Sequence, residues 1–433
     1  MHFSVLRIAV LCALCAGAAS ASGLFSSGGL AELTRAAVAQ NPGLAARRFL
    51  LESASEDDNV ARAPLLPQIG VGASKTLEDD SGDEPREAVL SLTQQIFNLP
   101  LWDIYQSSKR RTAAAAARHA GARQSLRLSV VAAWLDLRLA DDLTRLTEAR
   151  IELAEEQLSR AQSFAEAGAG TVVDVLDARA QTAGLRADLL QNRHDRRLAQ
   201  DRLYALSGMR GVAARLDEAA LRRRPPLPPL GEWLARVAKD SHQAAAARAE
   251  LEAAELLVRA AARAVYPRLE LSVQTRTEGG LSGHRENIAL SAEQSLFTGG
   301  RVGAESRRTL SDRAAARQNM REVLRQEELR ARELHGRAAL ALARRDALAA
   351  AETAAAAALE ATAAGVEGGA RIVADVLDAE ETLFDARLEL RRARYNYLRE
   401  VAALHVLAGA ADEQFIESLD ALFRPDGKEN DDV

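Results

Sequence analysis

The sequence predicts a mainly α-helical chain that also carries part of a membrane β-barrel. Three observations predict it. The chain is written twice, with matching segments about 200 residues apart. Each copy holds two strands with one apolar and one polar face. Each copy then enters a long stretch almost free of helix breakers, at 101–166 and at 301–364. The expected elements are very long coiled-coil helices, read as an ordinary extended coiled coil or as the wall of a long α-helical barrel, and four β-strands per chain.

Residues 1–21 read as a secretory signal peptide. Arg7 supplies the positive charge, Ile8 to Ala16 a short apolar core, and Ala19-Ser20-Ala21 a cleavage site. The apolar core is too short to span a bilayer, which takes about 20 residues. Both cysteines, Cys12 and Cys15, lie inside this segment, and neither follows a Leu-small-small triplet, so no lipid attachment is expected. A mature chain starting at Ser22 has no thiol, so an exported protein of this kind is held by packing alone. No later segment reaches 18 uninterrupted apolar residues. Any membrane span must therefore be a β-barrel.

Charge and composition exclude several functions. Lys plus Arg total 56 against 61 Asp plus Glu, for a net charge of −5, and both signs are spread along the chain. This argues against a nucleic-acid binder. Aromatic residues make up only 4% of the chain, which suits Ala- and Leu-based helix packing. The histidines are scattered without metal-ligand spacing, and there is no G-x-S-x-G nucleophile motif. No enzyme, no cofactor and no metal site are expected. Gly70 to Thr76 superficially resembles a phosphate loop, but it lacks the Gly-Lys pair and opens no helix, so it reads as strand.

The duplication fixes the organisation. Pro67-Gln68-Ile69-Gly70-Val71 matches Pro267-Arg268-Leu269-Glu270-Leu271, and Gln94-Gln95-Ile96-Phe97 matches Gln294-Ser295-Leu296-Phe297. Asp174-Val175-Leu176-Asp177-Ala178 recurs as Asp375-Val376-Leu377-Asp378-Ala379. The first repeat is expected at 22–224 and the second at 230–411, joined by a stiff Pro-rich linker at 225–229 and followed by an acidic tail at 412–433 without structure.

Strands are expected at about 66–77 and 87–97 in the first repeat, and at about 266–277 and 286–297 in the second. In the second pair, Leu269, Leu271 and Val273 face away from Arg268, Glu270, Ser272 and Gln274. Such strands have the length needed to cross a bilayer when tilted. Alternation alone equally fits a hairpin packed on a soluble core. Four strands cannot close a barrel, whose practical minimum is about eight, so spanning strands require several copies. In the helical stretch, Leu139, Leu146 and Leu153 recur at seven with Leu143 between, which is coiled-coil spacing. A helix over 101–166 is ~100 Å long at 1.5 Å per residue.

Each long helix ends at a glycine cluster, Gly168-Ala169-Gly170 in one repeat and Gly365, Gly368 and Gly369 in the other. A new helix starts with the Asp-Val-Leu-Asp-Ala sequence. Aspartates there cap the helix and complement its dipole. The alternative is that identical tips in an oligomer bring these carboxylates into a ring that holds cations and selects against anions.

Taken together these residues resemble the TolC family of bacterial outer-membrane channel-tunnels. The resemblance is carried by Ala63-Pro64-Leu65-Leu66-Pro67-Gln68, by Leu92 to Phe97 with Trp102, by both Asp-Val-Leu-Asp-Ala copies and by Ala393-Arg394-Tyr395-Asn396-Tyr397-Leu398. It implies a homotrimer in the outer membrane with one 12-stranded barrel and a periplasmic helical tunnel. It further implies an exit duct for type I protein secretion or multidrug efflux, recruited by a periplasmic adaptor and an inner-membrane pump of the ABC or RND type. By this resemblance Asp375 and Asp378 line the constricted entrance, and Asp174 and Arg371 form a bridge between neighbouring chains that holds it shut. Gly168 and Gly369 match the turns where the adaptor docks. The aromatic position before each tip glycine is Ala165 in one repeat and Val366 in the other, so a tyrosine lock is missing. The alternative is a periplasmic coiled-coil adaptor or scaffold without a barrel, which leaves the two-faced strands unexplained.

Overall fold

The fold is described from a computed structural model, which covers residues 27–75, 86–168, 170–211, 214–217, 219–220, 227–278, 283–367, 370–371 and 373–425. The signal-peptide segment 1–21, the linker prolines Pro225 and Pro226, and the end of the chain at 426–433 lie outside these residues.

The elements follow the duplication in step. Helix α1 (Leu30–Gln40) and α2 (Pro42–Arg62) lead into β2 (Gln68–Lys75), β3 (Arg86–Phe97), α3 (Leu99–Glu166) and α4 (Val172–Ser207). The second half repeats them as α5 (Leu230–Asp240), α6 (His242–Arg263), β6 (Arg268–Glu278), β7 (Gly283–Glu293), α7 (Arg301–Glu367) and α8 (Val373–Leu407). Short strands β1 (Ser27–Gly28), β4 (Arg210–Gly211), β5 (Ala214–Leu216) and β8 (Phe423–Pro425), with helix α9 (Glu413–Asp420), belong to neither pattern.

Local chemistry accounts for the boundaries. Asn41 caps α2 by accepting from the Leu44 amide, with Pro42 at the first helical position. Asn98 caps α3 in the same way, accepting from Leu101, and Pro100 sits in the first turn where its missing N–H costs nothing. From there α3 runs 68 residues, and α7 runs 67. Each is ~100 Å long. No helix among the described residues is long and apolar enough to cross a membrane.

The four long strands form one antiparallel sheet in the order β2-β3-β6-β7. Its register places Ile69 opposite Leu92, Leu92 opposite Val273, and Val273 opposite Ile288, an apolar row across all four strands. The opposite face is polar: Gln95 donates to Glu270, Arg276 pairs with Glu87 at 2.7 Å, and Arg268 pairs with Glu293 at 2.7 Å. The fourth strand ends at Glu293, four residues before the expected Phe297. The chain there turns into α7 through Gly299 and Gly300, both at positive φ.

Below the sheet the long helices form a single layer. In its upper part α2 packs on α3, α3 on α6, and α6 on α7. In its lower part α4 packs on α3, α3 on α8, and α8 on α7. The core is concentrated at mid-height, where α1, α5, α9 and the short strands pack on the layer as a belt. Trp134, Trp233, Leu203, Leu398 and Tyr395 are fully buried there.

The C-terminal segment departs from expectation. Residues 412–425 form structure rather than a tail. Asp412 caps α9 by accepting from the Phe415 amide. Phe415, Ile416 and Leu419 are buried, and the Phe423 ring meets Trp134 edge-on at 4.2 Å. β8 pairs with β5, and the Asp420 carboxylate accepts from the Leu30 amide, tying the C-terminal helix to α1. The burial of three apolar residues on one face of α9 outweighs its acidic surface.

The heptad leucines are also placed differently. Leu139, Leu143 and Leu146 are half-buried and Leu153 is 55% exposed, while Asp141, Asp142, Thr144 and Thr147 are buried. The intrachain seam of α3 at this height is therefore polar.

Candidate functional site

Three features are candidates for function: the two free edges of the layer, the tips of the long helices, and the polar anchor between them.

The edges come from topology. β2 and β7 end the sheet, and each bonds a strand on one side only. In the helical layer α2 and α7 end the upper part, and α4 and α7 the lower part. One edge belongs to the first half of the chain and the other to the second throughout. An unpaired strand edge of eight to eleven residues is a strong pairing template. The apolar face is bare: Ile69 is 73% exposed, Val71 83% and Ile288 72%. At the helical end of the sheet Trp102, Tyr266 and Phe297 are also exposed. Aromatic rings at that height match the interfacial girdle of a membrane barrel.

Five of the six residues singled out in the sequence are placed at the tips. Gly168 sits at φ 75° at the end of α3, a left-handed position that a side chain strains. The Gly170 amide returns to the Phe164 carbonyl at 3.0 Å and closes the turn. In the second tip the Ala370 and Arg371 amides both reach the Gly365 carbonyl, and a Cβ on Gly365 meets the Arg371 side chain at 2.9 Å. Gly369 lies outside the described residues.

Asp174 closes a capping box on α4. Its carboxylate accepts from the Thr171 amide at 2.9 Å and from the Thr171 hydroxyl at 2.8 Å, while the Thr171 hydroxyl accepts from the Asp174 amide at 3.3 Å. The bonds from Thr171, the backbone one foremost, hold the Asp174 carboxyl below the usual carboxylate range. Arg371 pairs with Asp375 one turn along its own chain, at 3.5 Å. Within one chain, therefore, Asp174 and Arg371 are not joined, and each already has a local partner. Asp378 lies three residues beyond Asp375 and is exposed. The tip thus presents Asp174, Arg371, Asp375 and Asp378 on solvent-facing surface, a set suited to electrostatics rather than to catalysis.

The anchor was not legible in the sequence. Tyr395 on α8 donates to Asp142 on α3 at 2.6 Å, with both side chains buried. Asp141 takes Arg138 at 3.2 Å and Arg196 of α4 at 2.5 Å. Burial raises the Asp142 carboxyl against the pull of the Tyr395 bond and nearby arginines. Burial likewise lowers Arg138, which lies over the Trp134 ring. Three helices are thereby pinned together at the lower border of the belt, and the arms below it are joined by a small buried cluster of Ile151, Ala154 and Leu185 and by more exposed polar pairs.

Comparison with known proteins agrees with this geometry. The outer membrane efflux protein family model matches residues 33–209 and 233–410, one match per half. Outer membrane protein TolC of Escherichia coli is 25% identical over 93% of this chain and 87% of its own length. The proteases secretion protein PrtF of Dickeya chrysanthemi is 25% identical over 98% of this chain and 96% of its own. Among solved structures, the outer membrane protein VceC of Vibrio cholerae superposes with a TM-score of 0.74 at 21% identity, covering 88% of this chain and 97% of that one. CusC superposes at 0.78 and 18% identity, covering 90% and 94%. The fold is that of the trimeric outer-membrane channels, with a helical tunnel below a β-barrel. A barrel-less scaffold has no use for the four-stranded two-faced sheet. The chain belongs to the outer membrane efflux protein family and is an outer-membrane exit duct for efflux or secretion, with its helical tunnel in the periplasm.

Proposed function

We propose that three copies of this chain close edge to edge into one duct, gated at its lower tips and recruited by a periplasmic adaptor and an inner-membrane pump. The observation that carries the reading is the pair of unlike edges at every level. β2 of one copy meets β7 of the next, and α2 and α4 meet α7. Such an interface is heterologous and satisfies all groups only if the rotation closes into a ring. Four strands per copy give twelve in three copies, enough for a barrel with an open lumen. The halves 22–224 and 230–411 act as the two structural repeats of each copy.

At the tips, Asp375 and Asp378 of the three copies form the constriction. Arg371 and Asp174 hold neighbouring copies together there, in exchange with the local pairs described above. Exposed ion pairs are each worth about 0–1 kcal/mol, which suits a gate displaced by a docking partner. Gly168 and Gly369 shape the turns that the adaptor meets. The pump supplies the energy and the cargo choice, and the duct is passive.

The test uses the absence of thiols after Ser22. Gly72→Cys on β2 and Ser291→Cys on β7, in one chain, are treated with a short bismaleimide in outer-membrane vesicles. A ladder ending at three copies is the expected result. A ladder ending at two, or continuing past three, overturns the closed trimer.

A further inference from the structure

The geometry points to a binding groove for amphipathic organic anions on the tunnel wall, one in each copy. The inference rests on the duct reading, because the groove acts on cargo only if its face is the lumen.

The groove lies between α2 and α6 with α3 as its floor, and its volume is about 690 Å³. That is within the ~300–1,000 Å³ of small-molecule sites. Its depth follows from sequence: α3 carries five consecutive alanines, Ala113 to Ala117, and Ala54 of α2 with Ala253 and Ala254 of α6 widen it between the longer side chains. Arg47 and Leu51 of α2, Arg111 and Arg118 of α3, and Leu257 of α6 line it.

The groove faces the lumen. At 100° per residue, Arg111, Ala115 and Arg118 lie roughly opposite Gln124 and Arg127 on α3. Gln124 and Arg127 reach the Gly409 and Ala411 carbonyls in the belt. Three belts facing inward would fill the tube, so the belt is outside and the groove inside.

Charge defines the ligand. The groove brings three guanidiniums against two carboxylates, Glu250 and Asp312, with His119 beside them. Arg118 is paired with Glu250. On the other faces Arg48 pairs with Glu52 and Arg110 with Glu252. Arg47 and Arg111 make no ion pair and no side-chain hydrogen bond with the described residues. Two unpaired guanidiniums beside leucines on an alanine floor fit a carboxylate or sulfonate head on an apolar body. Guanidinium forks match both head groups in geometry.

The experiment uses the full-length trimer in nanodiscs, first shown to conduct in a planar bilayer. Titration calorimetry with 2-naphthalenesulfonate, with the heat of empty nanodiscs subtracted, reads binding. Ethanesulfonate supplies the head alone, and 2-naphthyltrimethylammonium reverses the charge. The expected result is saturable binding of the naphthalenesulfonate only. Arg47→Gln with Arg111→Gln weakens it at least about tenfold, the loss of one to two charge-assisted contacts. Asp312→Asn tightens it, and Arg48→Gln leaves it unchanged. A conducting channel that takes up no sulfonate, or a double variant that binds as well as the parent, overturns the groove and leaves the duct standing. Equal binding of the trimethylammonium probe overturns it too. A folded trimer that does not conduct, before and after Arg371→Ser, overturns the duct reading and the groove with it.

Discussion

Replacing Asp375 and Asp378 with Asn adds two positive units per copy at the proposed constriction. Arg371, Asp375 and Asp378 together carry −1 per copy, or −3 in a trimer, and the double variant carries +1 per copy, or +3. Taking ~10 Å from these groups to the tunnel axis in water, each unit charge changes the energy of a passing monovalent ion by ~0.4 kcal/mol. Six units amount to ~2.4 kcal/mol before screening. Salt at 0.1 M reduces this about threefold over 10 Å, to ~0.9 kcal/mol per ion; the shift has opposite sign for a cation and an anion, so their ratio changes by ~1.8 kcal/mol, or roughly twentyfold in permeability. The lost Arg371–Asp375 contact at 3.5 Å is an exposed pair one helical turn apart. Such a pair is worth only ~0.3–0.5 kcal/mol, so the fold survives. The assay is the reversal potential in asymmetric KCl across a planar bilayer, repeated at decreasing ionic strength. The parent channel prefers cations, and the ratio in the variant falls by about twentyfold at 0.1 M and by more on dilution. A ratio that shifts by less than twofold and does not grow on dilution refutes the placement of these carboxylates at the constriction.

Three further outcomes follow from the anchor and the belt. Tyr395→Phe deletes the hydroxyl bound to buried Asp142 at 2.6 Å and costs about 1–3 kcal/mol, read as a lowered thermal midpoint by circular dichroism; an unchanged midpoint contradicts the bond. Burial raises Asp142 in the folded state, so the native protein binds that proton more tightly than the unfolded chain, and the stability due to this group falls as pH rises from about 3.9 through the raised value. Asp142→Asn removes that slope, and melting curves for parent and variant between pH 4 and 7 that run parallel exclude the shift. Phe423→Ala removes the ring packed on Trp134 at 4.2 Å and costs roughly 3–5 kcal/mol. It exposes the C-terminal segment to limited proteolysis, and a parent-like digest argues against its docking.

The sequence revealed what repeats. Strand alternation at Leu269, Leu271 and Val273 and the breaker-free runs after Pro100 and Gly300 specify elements that the structure places within a few residues. It also located the tips, because glycine clusters before Asp-Val-Leu-Asp-Ala have few other uses. It misjudged the end of the chain, where an acidic composition concealed Phe415, Ile416 and Leu419 on one face of a helix capped by Asp412. That cap and spacing were available as a signal. The anchor was not: Asp142 and Tyr395 are 253 residues apart, and nothing local marks them as partners. The tip pairs show the same limit. The Thr171 capping box and the Arg371–Asp375 turn are local and readable, whereas a bridge between copies depends on the rotation that closes the ring.

The most direct test of the central claim is single-channel recording from the purified, detergent-extracted protein in a planar bilayer. A twelve-stranded barrel narrowed at an acidic tip gives discrete, low-conductance, cation-preferring openings. Folded and inserted protein that passes no current, before and after Arg371→Ser, contradicts it.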